Sequence, residues 1–202
     1  NIFRTSVNFM GCYAAIHALK LADSICIAEP SARVMIVCTE LCTLHFQQEP
    51  SIDNITASLL FGDGSAAVLV TGKKDKTRGF HLHGFYSEVI PKGKQDMSWA
   101  LSSTGFAMTL RSYVPGLIEE DFKNLVDNAL EKNRISRDRV SDWCIHPGGR
   151  KILEAIEKSL GLPREKLAAG YGVLKDFGNM SSPTILFVLD KLFKSFTNGE
   201  PH

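Results

Sequence analysis

The sequence predicts an α/β protein built from layered helices and strands. Three observations lead there. Continuous apolar runs rich in β-branched residues alternate with segments whose apolar positions recur at helical spacing. Clusters of Gly, Pro, Asn and Asp punctuate them. The 202 residues, 44% hydrophobic and 22% charged, suit one large globular domain or two small ones.

The elements follow in order. "GCYAAIHALKLADSICIA" spaces its apolar residues as a helix does, so a buried helix is predicted from about Tyr13. "ARVMIVCTEL" is an unbroken apolar run and is predicted to be a strand covered on both faces. "SIDNITASLLF" reads as a short helix with a polar start, followed by the "GDG" turn and the strand "SAAVLVTG". The polar stretch "GKKDKT", residues 72–77, is the best internal boundary, dividing the chain into 1–72 and 78–202. Beyond it, "GFHLHGFYSEVI" alternates apolar and polar residues like a half-exposed strand, and "MSWALSS" and "GFAMTLRS" read as further strands. "VPGLIEEDFKNLVDNALEKN" is a long amphipathic helix whose apolar face carries Leu117, Phe122, Leu125, Val126 and Leu130. A strand "SDWCIHP" is expected next, then a helix "GRKILEAIEKSLGL" closed by Gly161 and Pro163. "GVLKDFGN" and "SPTILFVLDKLFKSF", the latter with Pro183 in its first turn, finish the chain.

Charge and composition narrow the function classes. A formal net charge of +1, with no basic run interleaved with aromatics, argues against nucleic acid or an anionic membrane surface as partner. No stretch reads as a membrane span of about 18 consecutive apolar residues, and the start lacks a secretory pattern. The five cysteines show no CxxC pair, so neither a metal site nor a disulfide framework is indicated; reduced thiols in a cytoplasmic protein are expected.

Three residues carry possible chemistry. Cys12 follows Gly11 at the start of the first helix, where backbone amides and the helix dipole lower a thiol's pKa; the plain alternative is a small buried hydrophobe. His146 stands where an apolar run meets Pro147-Gly148-Gly149, a strand end of the kind where α/β proteins place their sites. Gly149, Arg150 and Lys151 at the following helix start suit a phosphate, or simply form a solvated basic turn. Asn179 in "FGNMSSP" is a helix-capping residue or, through its amide, a donor to a developing oxyanion. A cysteine, a histidine and an asparagine at element ends can form a site for thiol acyl transfer.

The residues also resemble a known family. "GCYAA" around Cys12, "LLFGDGSAAVLV" at 59–70, "IHPGGRKIL" at 145–153 and "YGVLKDFGNMSSPTILFVLD" at 171–190 look like type III polyketide synthases, the chalcone and stilbene synthase family. The resemblance covers nearly the whole chain. It implies a thiolase-like fold of two similar halves in α-β-α-β-α layers, with the chain apparently truncated at both ends. It implies decarboxylative Claisen condensation of malonyl-CoA onto an acyl starter held on Cys12. His146 would then pair with Cys12, and His146 and Asn179 would hold the thioester oxygen. Acyl-CoA and malonyl-CoA are the implied partners, with no metal or redox cofactor and a homodimer in the full-length enzyme. Phe61 matches a gatekeeper between CoA tunnel and cavity. Cys42 and His45 in "TELCTLHFQ" stand where plant enzymes tend to carry threonines, and Met108 where they often carry a second gatekeeping Phe. Gly62, Gly149, Lys151 and Ser181 complete the expected substrate-binding set. The "ELCTLHF" wording resembles bacterial enzymes that take fatty acyl starters. Two alternatives stand beside this reading: the initiating β-ketoacyl carrier-protein synthase, and a non-catalytic fragment of a condensing enzyme.

Overall fold

A computed structural model describes residues 2–48, 50–73, 79–93, 97–103, 105–110 and 114–198. The nucleophile candidate opens the first helical unit. A short 3₁₀ turn, Gly11–Tyr13, runs directly into α1, Ala14–Ala28. α1 buries Ala15, Leu19, Ala22 and Cys26, a stripe at the spacing the sequence shows. The stretch Gly11–Ala28, with mean hydropathy 1.2, is after all long and apolar enough to cross a membrane by length and composition. Its buried stripe packs into the protein core.

β1, Arg33–Glu40, pairs antiparallel with β2, Gly64–Thr71, in a register that sets Ile36 opposite Val68 and Glu40 opposite Gly64. Between them, α2 spans Ile52–Leu60, started by Ser51, whose Oγ accepts the Asn54 N–H at 3.1 Å. The expectation that β1 is covered on both faces fails. Ile36 and Cys38 are buried, while Met35 and Val37 on the other face are 60% and 64% exposed. One face packs on α1 and on the last helix, α6, Ser182–Asn198; the other is bare.

The second half holds a hairpin of β3, Met97–Ser102, and β4, Gly105–Leu110, and then α3, Val114–Lys132. α4, Arg150–Leu160, and α5, Ala168–Phe177, follow. Two expected strands are not strands. Residues 79–90 and 140–147 belong to no helix or strand and join no ladder among the described residues. Their apolar side chains are held by packing instead. Leu82, Phe85 and Cys144 lie against the α1–β1–α6 core, and Trp143 and Ile145 against the α3–α4 core built on Val126, Leu153, Ile156 and Leu160. His146 therefore follows a non-helical, unpaired segment clamped between two cores. The expected boundary segment falls largely outside the described residues. α6 joins the parts on either side of it, since Ile185 and Leu186 share a core with α1 and β1.

Candidate active site

The site forms where four chain segments meet. Gly11 has φ +54°, a left-handed conformation that glycine adopts without the steric cost of a Cβ, and it turns the chain so that Cys12 faces inward. Phe9 (φ +56°) and Ser181 (φ +58°) adopt the same region without being glycines, at a cost on the order of 1 kcal/mol each. Left-handed residues thus flank both Cys12 and Asn179.

Asn179 is the hub. Its Oδ1 accepts from the Ser181 N–H at 2.8 Å, from Thr184 Oγ1 at 3.4 Å and from Cys12 Sγ at 3.9 Å. Its Nδ2 donates to the Gly148 carbonyl at 3.3 Å, and the Gly148 N–H in turn donates to the His146 carbonyl at 3.0 Å. The Ser181 backbone can only donate, so this network settles which end of the amide is oxygen. Cys12 and Gly148 are brought to Asn179; His146 is tied to this network through its backbone carbonyl, and its ring makes no hydrogen bond among the described residues.

The backbone of Asn179 is fixed with equal care. Its N–H donates to the Leu60 carbonyl at 2.9 Å and its carbonyl accepts the Gly62 N–H at 3.0 Å, forming a parallel bridge between Phe61 and Asn179. Gly62 is required for this approach, since a Cβ there would lie 2.8 Å from the Phe177 carbonyl oxygen. Thr43 N–H and Oγ1 donate to the two Asp63 carboxylate oxygens at 2.9 and 2.7 Å. Those bonds tie the 3₁₀ turn Cys42–His45 to the GDG turn and hold the Asp63 carboxyl below its usual range.

A cavity of about 970 Å³ opens beside Cys12. Cys42, His45, Phe61 and Ser181, all expected in the substrate-binding set, line it. Gly62 does not; it braces Asn179 from behind. Gly149 caps α4, its carbonyl accepting the Ile152 and Leu153 N–H groups, and Lys151 is exposed on that helix; neither lines the cavity. Met108 pairs with Trp99 in the β3–β4 hairpin, and its side chain lies outside the described residues.

The electrostatics differ from expectation in two respects. The helix start was expected to lower the Cys12 pKa. Burial instead raises it, opposed by hydrogen bonding with the Ser181 side chain and reinforced by the Glu40 carboxylate. In the resting geometry the thiol donates to Asn179 Oδ1, which favours the protonated form; a thiolate would need a donor there. Second, His146 and Cys12 are not hydrogen-bonded to each other. Both ring nitrogens of His146 are buried without a partner among the described residues, and burial lowers the ring pKa to about 4. The ring is therefore neutral at pH 7.

Sequence reasoning missed Glu40 and Thr184. Glu40 lines the cavity, accepts Ser182 Oγ at 2.8 Å, and with burial and Asp63 pushes the Cys42 thiol up to about 11. The signal for Glu40 was a lone acid ending an apolar strand. Thr184 carries no local signal, being one more β-branched residue in an apolar helix.

Comparison with known proteins shows the family. Residues 1–74 match the family described as chalcone and stilbene synthases, N-terminal domain, and residues 81–201 match its C-terminal domain. The chain is 36% identical to a putative chalcone synthase of Bacillus subtilis, covering 89% of this chain and 51% of that protein. It is 32% identical to probable polyketide synthase 1 of Dictyostelium discoideum, covering 96% of this chain and 6% of that one. Among solved structures, PKS-I from the brown alga Ectocarpus siliculosus superposes with a TM-score of 0.91 at 30% identity, over 98% of this chain and 53% of that one. The tetrahydroxynaphthalene synthase of Streptomyces coelicolor, a bacterial type III polyketide synthase, does so with a TM-score of 0.80 at 28% identity, over 95% and 54%. The chain thus spans about half the length of the Bacillus protein and of these solved structures.

Proposed function

The chain belongs to the chalcone and stilbene synthase family and has its thiolase-like fold, and from that premise we propose that it is a CoA-dependent acyltransferase performing decarboxylative condensation. The observation that carries this reading is the contact between Cys12 Sγ and Asn179 Oδ1, 167 positions apart, with Cys12 on the wall of a cavity.

The residues then have separate tasks. Cys12 sulfur attacks the carbonyl carbon of an acyl-CoA. The carbon–sulfur bond to CoA breaks, and the Cys12 proton passes through His146 to the departing CoA thiolate. The neutral His146 ring, with both nitrogens unbonded, relays that proton without storing it once the thiol turns from Asn179. A malonyl-CoA thioester next places its oxygen toward the Asn179 amide and a His146 ring N–H. The second Asn179 N–H has no partner among the described residues and is available as donor. As the carboxylate leaves as carbon dioxide, its bonding pair becomes an enolate held by neutral donors. No acid stands there to quench it. The enolate carbon attacks the acyl-Cys12 carbonyl, the new carbon–carbon bond forms, and Cys12 departs as thiolate.

The cavity walls support a long aliphatic starter. Leu21 and Ile25 of α1 face the cavity together with Met35 and Val37 of β1, an apolar wall running roughly 20 Å from Cys12 at 1.5 Å per helical residue. The test is a single-turnover incubation with palmitoyl-CoA and malonyl-CoA. A β-ketoacyl product two carbons longer, with carbon dioxide released and none formed by Cys12→Ala, supports the reading. Extension only with an acyl carrier protein would replace it with the initiating carrier-protein synthase.

One observation favours a second reading, a chain that keeps the residues without turning over: Cys12 is held as a thiol and is not bonded to His146. A folded protein that never acquires an acyl group decides for it.

A further inference from the structure

Thr184 is completely buried in the first turn of α6, with 0% of its surface exposed. A hydroxyl in that position costs free energy unless it is bonded, and helical threonines ordinarily turn to a backbone carbonyl one turn back. This one reaches Asn179 Oδ1 at 3.4 Å. The length reflects crowding. Three donors, Ser181 N–H, Thr184 O–H and Cys12 S–H, converge on an oxygen with two lone pairs.

Acylation changes that count. When Cys12 becomes a thioester its S–H is gone, and the Ser181 and Thr184 donors are left to fill the two lone pairs. Both point the amide so that Nδ2 stays on the Gly148 carbonyl, in the segment that carries His146, where the scheme above places the malonyl oxygen. Resting on the condensing reading above, we infer that Thr184 is the positioning residue of the acyl-enzyme, holding the Asn179 amide oxygen so that its N–H groups face the forming enolate. It acts at decarboxylation and not at acyl loading, because in the scheme above loading uses Cys12 and His146 and no N–H of the Asn179 amide.

The experiment separates the two half-reactions on the whole chain. Acyl loading from palmitoyl-CoA is followed by intact mass, and carbon dioxide release from labelled malonyl-CoA is followed on the preloaded protein. Thr184→Val keeps the shape and removes the hydroxyl. It is expected to load within about twofold of wild type and to decarboxylate about tenfold more slowly, the worth of roughly one hydrogen bond. Thr184→Ser, which keeps the donor, is expected to recover most of the rate, and Thr184→Ala to share the defect of the valine variant. Asn179→Ala sets the floor, on the order of a hundredfold or more below wild type. Wild-type decarboxylation by Thr184→Val overturns the inference, as does a defect that Thr184→Ser shares in full or one equal in both half-reactions. Wild-type protein that takes no acyl group onto Cys12 overturns the condensing reading itself, and the loading arm registers that separately.

Discussion

Replacing Gly62 by alanine tests whether the bridge behind Asn179 is what fixes the site. The added Cβ would lie 2.8 Å from the Phe177 carbonyl oxygen, a distance real Cβ atoms essentially never show. Both sides of the clash are backbone. Phe177 ends α5, and the Gly62 N–H is bonded to the Asn179 carbonyl. Relief needs a shift of roughly half an ångström, and overpacking of this kind costs about 1–3 kcal/mol. At about 2–4 °C per kcal/mol for a chain of this size, the melting temperature falls by about 2–12 °C. The same shift moves Asn179, and since a 1 Å misplacement can cost about a hundredfold in rate, decarboxylation is expected to fall about tenfold. Gly148→Ala is the comparison: its Cβ meets only side-chain carbons of His146 and Ile152 at 3.7 and 3.8 Å, so its stability should stay within about 0.5 kcal/mol of wild type. Thermal melts and urea titrations of both variants decide the matter. A Gly62→Ala protein that melts with wild type, or a Gly148→Ala protein that melts as low as Gly62→Ala, refutes the bracing argument.

Further outcomes follow from the same geometry. The folded His146 ring takes a proton only near pH 4, whereas unfolded histidine does so near 6.5. Between those values the unfolded state binds more protons, so stability falls as the pH falls, by up to about 3 kcal/mol in total. Urea midpoints from pH 7 to pH 4 should show this loss, and a His146→Gln protein with the same slope would count against it. Glu40→Gln removes the carboxylate that raises the Cys12 and Cys42 thiols. Alkylation of both by iodoacetamide at pH 8 should then quicken by about twofold or more, and an unchanged rate contradicts this assignment. Ser51→Ala removes the cap of α2 and should lower stability by about 1 kcal/mol in a urea titration, with no change in acyl loading.

Much of the fold was legible because helices announce themselves locally. The apolar faces of α1 and α3 fall on residues that are buried or half-buried, and the Gly161 and Pro183 signals mark real element ends. Strand readings fared less well, since a strand exists only through a partner that local pattern does not name. "SDWCIHP" has the composition of a buried strand, yet Trp143, Cys144 and Ile145 satisfy it by packing between cores with no ladder among the described residues. The apolar run of β1 did not reveal that Met35 and Val37 would border a cavity. At the site, Cys12 and Asn179 were readable as a pair because each stands in a distinctive motif. The acidity of Cys12 was not, because burial outweighs the helix end. The roles of Gly62 and Thr184 depend on contacts with residues distant in sequence or across a turn, which spacing alone does not encode.

The central claim is that Cys12 is a nucleophile for acyl thioesters. Its most direct test is the intact mass of the denatured protein after incubation with palmitoyl-CoA, beside Cys12→Ala. The account predicts one added acyl group on the wild-type chain, lost on treatment with hydroxylamine, and none on the variant. A folded wild-type protein without the adduct, or an adduct that survives in Cys12→Ala, contradicts it.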